Sequence, residues 1–305
     1  MGDGGDIHNR RRYDRIQGMS GMEIDAATQF CGVIGNPVEH SLSPAIHNAA
    51  FQKLGLNFVY LAWKVEAIGD AVKGLRALGN FRGASVTIPH KVAVLPYLDE
   101  VEAMARHIGA INTIVSQNGK LLGTNTDATG ALRALKEGNA PLSGEPVIIL
   151  GSGGAARALA FALATEAGIR RIHLLGIDDR ERRGLASDLM QKTDVHVADA
   201  FLEEQCLKSA LAEARVLIHC TPIGMSPKTG MSCVPSHLLH RGLTIMDIVY
   251  NPRDTQLLLD AKAAGCRTIS GLEMFLYQAA AQFEHWTGQS APTHVMRAVL
   301  ESRLR

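Results

Sequence analysis

One lysine and one aspartate, each closing a short polar motif, are the side chains best placed to do chemistry. Lys91 ends the run Ser85-Val86-Thr87-Ile88-Pro89-His90-Lys91, and Asp127 ends Gly123-Thr124-Asn125-Thr126-Asp127. A lysine in a cleft can give or take a proton near neutrality when partial burial lowers its proton affinity. A carboxylate beside it would orient the ammonium and tune that affinity. A solitary lysine after Pro89 would more simply open a surface helix. The second polar loop, ending at Asp127, turns the reading toward an acid–base pair. Asn112, in Gly109-Ala110-Ile111-Asn112-Thr113, adds an amide that can read substrate hydroxyls or, more blandly, satisfy its own loop.

Downstream, the apolar run Val147-Ile148-Ile149-Leu150 leads straight into Gly151-Ser152-Gly153-Gly154-Ala155-Ala156, a G-x-G-x-x-A pattern that opens an alanine-rich segment. The first glycine allows a tight turn, the second lets the backbone approach a pyrophosphate, and the small last residue lets helix and strand pack closely. Amides at the helix N-terminus then face the phosphates. Such a loop alone also occurs for packing; a strand before it, a helix after it and an acid at the end of the next strand strengthen it. That next strand ends in Gly176-Ile177-Asp178-Asp179-Arg180. Asp178 or Asp179 could accept from ribose hydroxyls and would repel a 2′-phosphate, favouring NAD, with NADP the alternative. Arg180, Arg182 and Arg183 could instead pair with that phosphate. Otherwise Asp179 is a helix N-cap and the arginines a solvated face. An acid–base pair beside a dinucleotide loop implies proton transfer coupled to hydride transfer, the chemistry of a dehydrogenase acting on a hydroxyl or ketone.

A third polar segment, Gly35-Asn36-Pro37-Val38-Glu39-His40-Ser41-Leu42-Ser43-Pro44, leaves one element and enters another. Ser41 and Ser43 near a helix N-terminus suit a carboxylate, though N-capping by Ser43 is the commoner use of such a serine. His40 and His47 are not spaced i, i+4 and no Cys or carboxylate cluster joins them, so no metal is expected.

These motifs need a scaffold of strands and helices. Apolar patterning places strands at 30–35, 58–63, 83–88, 112–116 and 120–123, with helices at 43–54, 68–78 and 101–107. Asn118-Gly119 reads as a hairpin turn. A helix over 127–137 follows, then strands at 147–150, 171–175, 195–197, 216–218 and 244–246 with helices between, among them 155–167. The alternation predicts parallel α/β sheets. A long apolar helix, 271–286, is expected to return to the N-terminal part, leaving a cleft between two domains. The expected division is a tail at 1–24, a substrate-binding domain from 25–127 plus 272–305, and a dinucleotide domain over 128–271.

With 305 residues, 46% hydrophobic and 20% charged, the chain has material for two cores. A net charge of +1 excludes a global electrostatic pull toward nucleic acid or a membrane surface, and no uninterrupted apolar run is long enough to span a bilayer. Five scattered cysteines without a CxxC pair suit a reduced cytoplasm. The Arg10-Arg11-Arg12 run reads as part of a solvated tail. A small-molecule substrate is the expected partner, with the protein a monomer or homodimer.

Taken together, the motifs resemble those of the shikimate/quinate dehydrogenases. Besides the segments quoted, Thr221-Pro222-Ile223-Gly224-Met225, Asp247-Ile248-Val249-Tyr250-Asn251-Pro252 and Gly271-Leu272-Glu273-Met274-Phe275 leading to Gln278 agree, in order, from about Gly32 to Trp286. The resemblance implies an N-terminal α/β substrate domain, a Rossmann-type doubly wound C-terminal cofactor domain, and reversible reduction of 3-dehydroshikimate to shikimate, or a quinate-preferring variant of it. It implies Lys91 and Asp127 at the reacting hydroxyl, and Ser41, Ser43 and Thr87 at the carboxylate. Asn112 and Gln278 would reach the other ring hydroxyls, with Ser85 and Tyr250 lining the pocket. Gly151, Ser152, Gly153, Gly154, Ala155, Asp178, Asp179 and Thr221 would hold the dinucleotide, with Ile248 and Gly271 near the nicotinamide. Ser85 stands where family members usually carry Asn, and Gly176-Ile177 where NADP-using members carry Asn-Arg, which supports NAD. A catalytically silent nucleotide sensor would have no need of the Lys91/Asp127 pair.

Overall fold

The computed structural model describes residues 24–304; the expected tail lies, but for Ile24, outside them. Two six-stranded sheets organise the rest. The first contains β1 (Gln29–Gly35), β2 (Phe58–Lys64), β3 (Phe81–Val86), β4 (Glu100–Val101), β5 (Thr113–Gln117) and β6 (Lys120–Thr124), in the order β2-β1-β3-β5-β6-β4. Strands β2, β1 and β3 run parallel, linked through α1 (Ser43–Lys53) and α2 (Ile68–Arg76). After the one-turn α3 (His90–Ala93) and α4 (Ala103–Ile108), the β5–β6 hairpin adds antiparallel strands. Its turn residues Asn118 and Gly119 both have positive φ, the geometry that an Asn-Gly hairpin turn favours. Strand β3 stops at Val86, short of the expected Ile88, because Thr87 to Pro89 leave the sheet toward α3.

Helix α5 (Thr126–Glu137) carries the chain to the second sheet: β7 (Val147–Leu150), β8 (Arg171–Gly176), β9 (His196–Phe201), β10 (Val216–His219), β11 (Thr244–Asp247) and β12 (Arg267–Ser270). All neighbours are parallel in the order β12-β11-β10-β7-β8-β9, the doubly wound arrangement with its switch point beside β7. Every residue of β7 is buried, which explains its unbroken apolar run. Helices α6 (Gly154–Thr165), α7 (Asp179–Lys192), α8 (Glu204–Glu213) and α9 (Gln256–Ala263) cover its faces.

From β12 the chain enters α10 (Gly271–Thr287), then α11 (Thr293–Arg303), which packs on α1 beside the first sheet. The expected return of the C-terminal helix is thus realised, and α10 and α5 cross in close contact where the two halves meet. Gly130 makes that crossing possible, since a Cβ there would lie 2.6 Å from the backbone nitrogen of Gln278. Among the described residues no helix is long and apolar enough to cross a membrane.

Candidate active site

A cleft of about 370 Å³ opens between the two sheets. Lys91 reaches it from α3, and its Nζ lies 2.6 Å from Asp127 Oδ2 on the first turn of α5, with the side chains 33% and 17% exposed. Both groups therefore face a solvent-accessible space while remaining paired. Asn125 fixes the aspartate: at the N-cap of α5 its side-chain oxygen accepts from the Asp127 and Ala128 amides, and its Nδ2 donates to Ala110 O. Asn112 completes the set. Its Nδ2 donates to Asp127 Oδ1 at 2.8 Å, and its Oδ1 accepts from the Thr126 amide at 2.7 Å and from the Thr113 hydroxyl. Lysine, aspartate and asparagine thus form one rigid chain of hydrogen bonds, with the ammonium at its exposed end.

Ser41, Ser43, Thr87, Tyr250, Gln278, Ile248 and Gly271 line the same cleft. Ser43 does not cap α1: Leu42 stands at the N-cap without a side-chain bond, and Ser43 is the first helical residue, its amide donating to Ser41 Oγ. Tyr250 stacks on Phe275 with centroids 4.9 Å apart, and burial raises its proton affinity, so it stays a neutral phenol. Gly271 is required by close approach, since a Cβ would lie 2.3 Å from Ile248 O. Gln278 keeps one amide proton on Phe275 O.

Ser85 has partners that the sequence does not show. It borders the cleft, but its hydroxyl donates to Gln282 Oε1 at 2.8 Å and meets Tyr60 OH at 2.6 Å. Its single proton is used within the protein, so it can offer a ligand a lone pair at most. Gln282, which sequence reasoning missed, also lines the cleft and ties Ser85 to Thr113 and the Asn112 carbonyl. Its place one turn beyond Gln278 on the apolar helix was the available signal. His40 borders the cleft as well, and among the described residues no three His, Cys, Asp or Glu side chains gather as a metal site.

The Gly151–Ala155 loop lies apart from this cleft's lining, between β7 and α6. Gly151 has φ +102° and its amide donates to Leu175 O, making the turn. Gly153 caps α6 with no side-chain bond, and a Cβ at Gly153 or Gly154 would meet nothing within 4 Å. Open space over bare helix N-terminal amides fits a pyrophosphate. Thr221 borders the turn, its Cγ2 3.1 Å from where a Gly151 Cβ would stand.

At the end of β8 the acids differ from expectation. Asp178, not Asp179, is the N-cap of α7, accepting from the Glu181 amide. Asp179 is paired with Arg182 at 2.7 Å and with Arg183 at 3.7 Å, so it is a poor ribose ligand. Arg182 is no solvated residue: it is 4% exposed and also donates to Asp199 and Gly176 O, which withholds it from a phosphate. Asp178 keeps one carboxylate oxygen for a ligand, and Arg180 stays exposed.

Comparison with known proteins finds relatives along nearly the whole chain. Residues 33–114 match the model of the shikimate dehydrogenase substrate binding domain, and residues 271–301 that of the shikimate 5′-dehydrogenase C-terminal domain. A relative from Desulforamulus reducens, named shikimate dehydrogenase (NADP(+)), is 43% identical over 94% of this chain and 99% of its own. One of the same name from Methanopyrus kandleri is 44% identical over 93% and 99%. Among solved structures, shikimate 5-dehydrogenase from Listeria monocytogenes, in complex with shikimate and NAD, superposes with a TM-score of 0.88 at 36% identity, covering 92% of this chain and 99% of that one. Quinate dehydrogenase from Corynebacterium glutamicum, in complex with NAD, gives 0.83 at 30% identity, covering 90% and 99%. With paired Lys91 and Asp127 at a cleft between an α/β sheet and a Rossmann-type sheet, and with relatives this similar along nearly its whole length, the chain belongs to the shikimate dehydrogenase family.

Proposed function

We propose that this chain catalyses the reversible, NADP(H)-dependent interconversion of 3-dehydroshikimate and shikimate. The observation that carries the reading is the 2.6 Å contact between Lys91 Nζ and Asp127 Oδ2 inside a cleft also lined by Ser41, Ser43 and Thr87. Residues 25–127 with 272–305 hold the substrate, and residues 128–271 hold the dinucleotide. The three hydroxyls beside the start of α1 bind the ring carboxylate, helped by the helix dipole. That anchor directs the opposite side of the ring to Lys91. In reduction Nζ gives its proton to the carbonyl oxygen; in oxidation it recovers the proton from the hydroxyl. Asp127 fixes the ammonium and hydrogen-bonds the reacting hydroxyl, while Asn112 and Gln278 read the remaining ring hydroxyls. Gly151–Ala155 and Thr221 would hold the dinucleotide, with Ile248 and Gly271 facing its nicotinamide, and when bound it would supply or accept the hydride.

NADP(H) is chosen because the curated relatives are named for NADP(+). One observation favours NAD instead: Asp178, just beyond β8 at the N-cap of α7, keeps a free carboxylate oxygen, and Arg182 is withheld by Asp179 and Asp199. Initial rates of nicotinamide reduction with shikimate or quinate, each with NADP+ or NAD+, decide the matter. The expected result is the highest kcat/KM for shikimate with NADP+. A higher value with NAD+ would transfer the cofactor to the second reading, and a higher value with quinate would replace the substrate. Absence of turnover with all four pairs would end the dehydrogenase reading.

A further inference from the structure

Next to the Thr221–Met225 segment lies a buried histidine–aspartate pair that the chemistry above does not use. His219 ends β10 and Asp247 ends β11, opposite each other in the parallel register. They are 1% and 0% exposed, and Nδ1 of His219 lies 2.8 Å from Asp247 Oδ1. Asp247 also accepts from the Val249 amide and, at 2.6 Å, from the Thr255 hydroxyl, so its lone pairs are well used. On the other side of the ring, Nε2 of His219 meets Thr221 Oγ1, which already accepts from the Ile223 amide. Thr221 in turn packs against Gly151 of the glycine loop.

The protonation state of the imidazole therefore sets what Thr221 can do. A doubly protonated ring donates on both sides; Thr221 Oγ1 then accepts twice, and its own proton is free for a ligand. A ring protonated only at Nδ1 accepts at Nε2 and consumes the Thr221 proton. We propose that His219 is a positioning residue for the dinucleotide: protonated on both nitrogens between Asp247 and Thr221, it leaves the Thr221 hydroxyl free to donate to an oxygen of the dinucleotide beside the Gly151 turn. Burial opposes the charge on the ring. The hydrogen bond that the ring donates to Asp247, its contact with the facing Cys233 and the negative charge of Asp247 outweigh it and push the His219 pKa up to about 9. Cys220, the remaining titratable neighbour, is held as a thiol by burial.

This inference rests on the Gly151–Ala155 loop and Thr221 being the dinucleotide site. Its test is dinucleotide affinity of the full chain, without substrate, across neutral to alkaline pH, by calorimetry with NADP+ and with NAD+, neither of which changes charge there. For the tighter dinucleotide, wild-type Kd should rise about three- to tenfold through pH 9, the weight of one hydroxyl hydrogen bond. Thr221→Val should bind more weakly at neutral pH and show no such rise, whereas Thr221→Ser should retain it. His219→Asn should also flatten the curve; should it fail to fold, Thr221→Val still decides. Nitrogen-15 NMR of wild-type histidines should find one ring doubly protonated well above neutrality and lost from that state in His219→Asn. Parallel Kd curves for wild type and Thr221→Val, or a His219 ring that is neutral at pH 7, would overturn the inference while leaving the site intact. Failure to bind either dinucleotide at any pH would overturn the site itself.

Discussion

In the proposed mechanism Lys91 is the acid, held in place through Asp127. Asp127 holds Nζ, Asn112 holds Asp127, and Asn125 holds the backbone beneath both. Lys91→Ala removes the proton donor without touching the carboxylate anchor, so kcat should fall about 10²- to 10⁴-fold while substrate KM changes much less. Steady-state kinetics check this, and a variant keeping half of kcat would remove Lys91 from the mechanism. Ser85→Ala should behave differently. It strips a partner from Tyr60 and from Gln282, both 1% exposed, and an unsatisfied buried group costs about 1–3 kcal/mol. Urea unfolding should register that loss; an unchanged midpoint would mean the pair had found other partners. The make-up of the candidate site was legible in the sequence because its residues sit in compact polar motifs, which the fold brings to one cleft. What was not legible is partnership. Nothing in the order of residues tells that Ser85 meets a glutamine far along the chain, or that Asp179 pairs with arginines one turn on rather than with a ribose.

The elements that place these residues were mostly visible, because α/β periodicity is strong where strands are buried on both faces, as in β7 and β10. The missed pieces lacked that signature. Strand β12 has one fully buried residue, Ile269, and pairs on one side only; β4 is two residues long; α11 buries only Met296 and Leu300. The α5–α10 crossing was legible as a returning helix but not as a contact, since a glycine inside a helix gives no sign of what faces it. Gly130→Ala tests that contact. Alanine favours a helix over glycine by about 1 kcal/mol, so propensity alone predicts stabilisation. The new Cβ, however, would stand 2.6 Å from Gln278 N and 2.8 Å from Met274 O, both backbone atoms that cannot swing away. Overpacking costs about 1–3 kcal/mol or more when backbone must shift. The variant should therefore melt at a lower temperature than wild type and bind substrate more weakly, since Gln278 moves relative to Asp127. A raised Tm would show that the crossing has slack.

At the scale of the whole molecule, two of the buried histidines, His47 and His219, give the protein opposite responses to pH. His47, on α1, is fully buried against Tyr60, Phe51, Phe283 and Trp286. Neither ring nitrogen has a partner in good hydrogen-bond geometry, although Gln282 lies near enough to favour the charge slightly. Burial dominates and depresses its pKa from 6.5 to about 3. Below pH 6.5 the unfolded chain takes up a proton that the native ring refuses, so this contribution is present above 6.5 and is lost as pH falls toward 3. His219 has the reverse sign. Its folded pKa is raised to about 9, so its stabilisation is complete below 6.5 and is lost as pH rises through 9. Each limb can reach a slope of about 1.4 kcal/mol per pH unit. Stability should therefore peak near pH 6.5 and fall on both sides, and the limbs should be separable by mutation. His47→Phe, which suits the aromatic surroundings, should flatten the acid limb to what the carboxylates and the burial-depressed His173 produce, and leave the alkaline limb unchanged. His219→Asn should flatten the alkaline limb only. Thermal melts of the three proteins across pH 4–9 would read both limbs directly. A wild-type Tm that keeps rising from pH 6.5 to 9 would mean that Asp247 does not hold His219 charged, and would remove the basis for the alkaline limb.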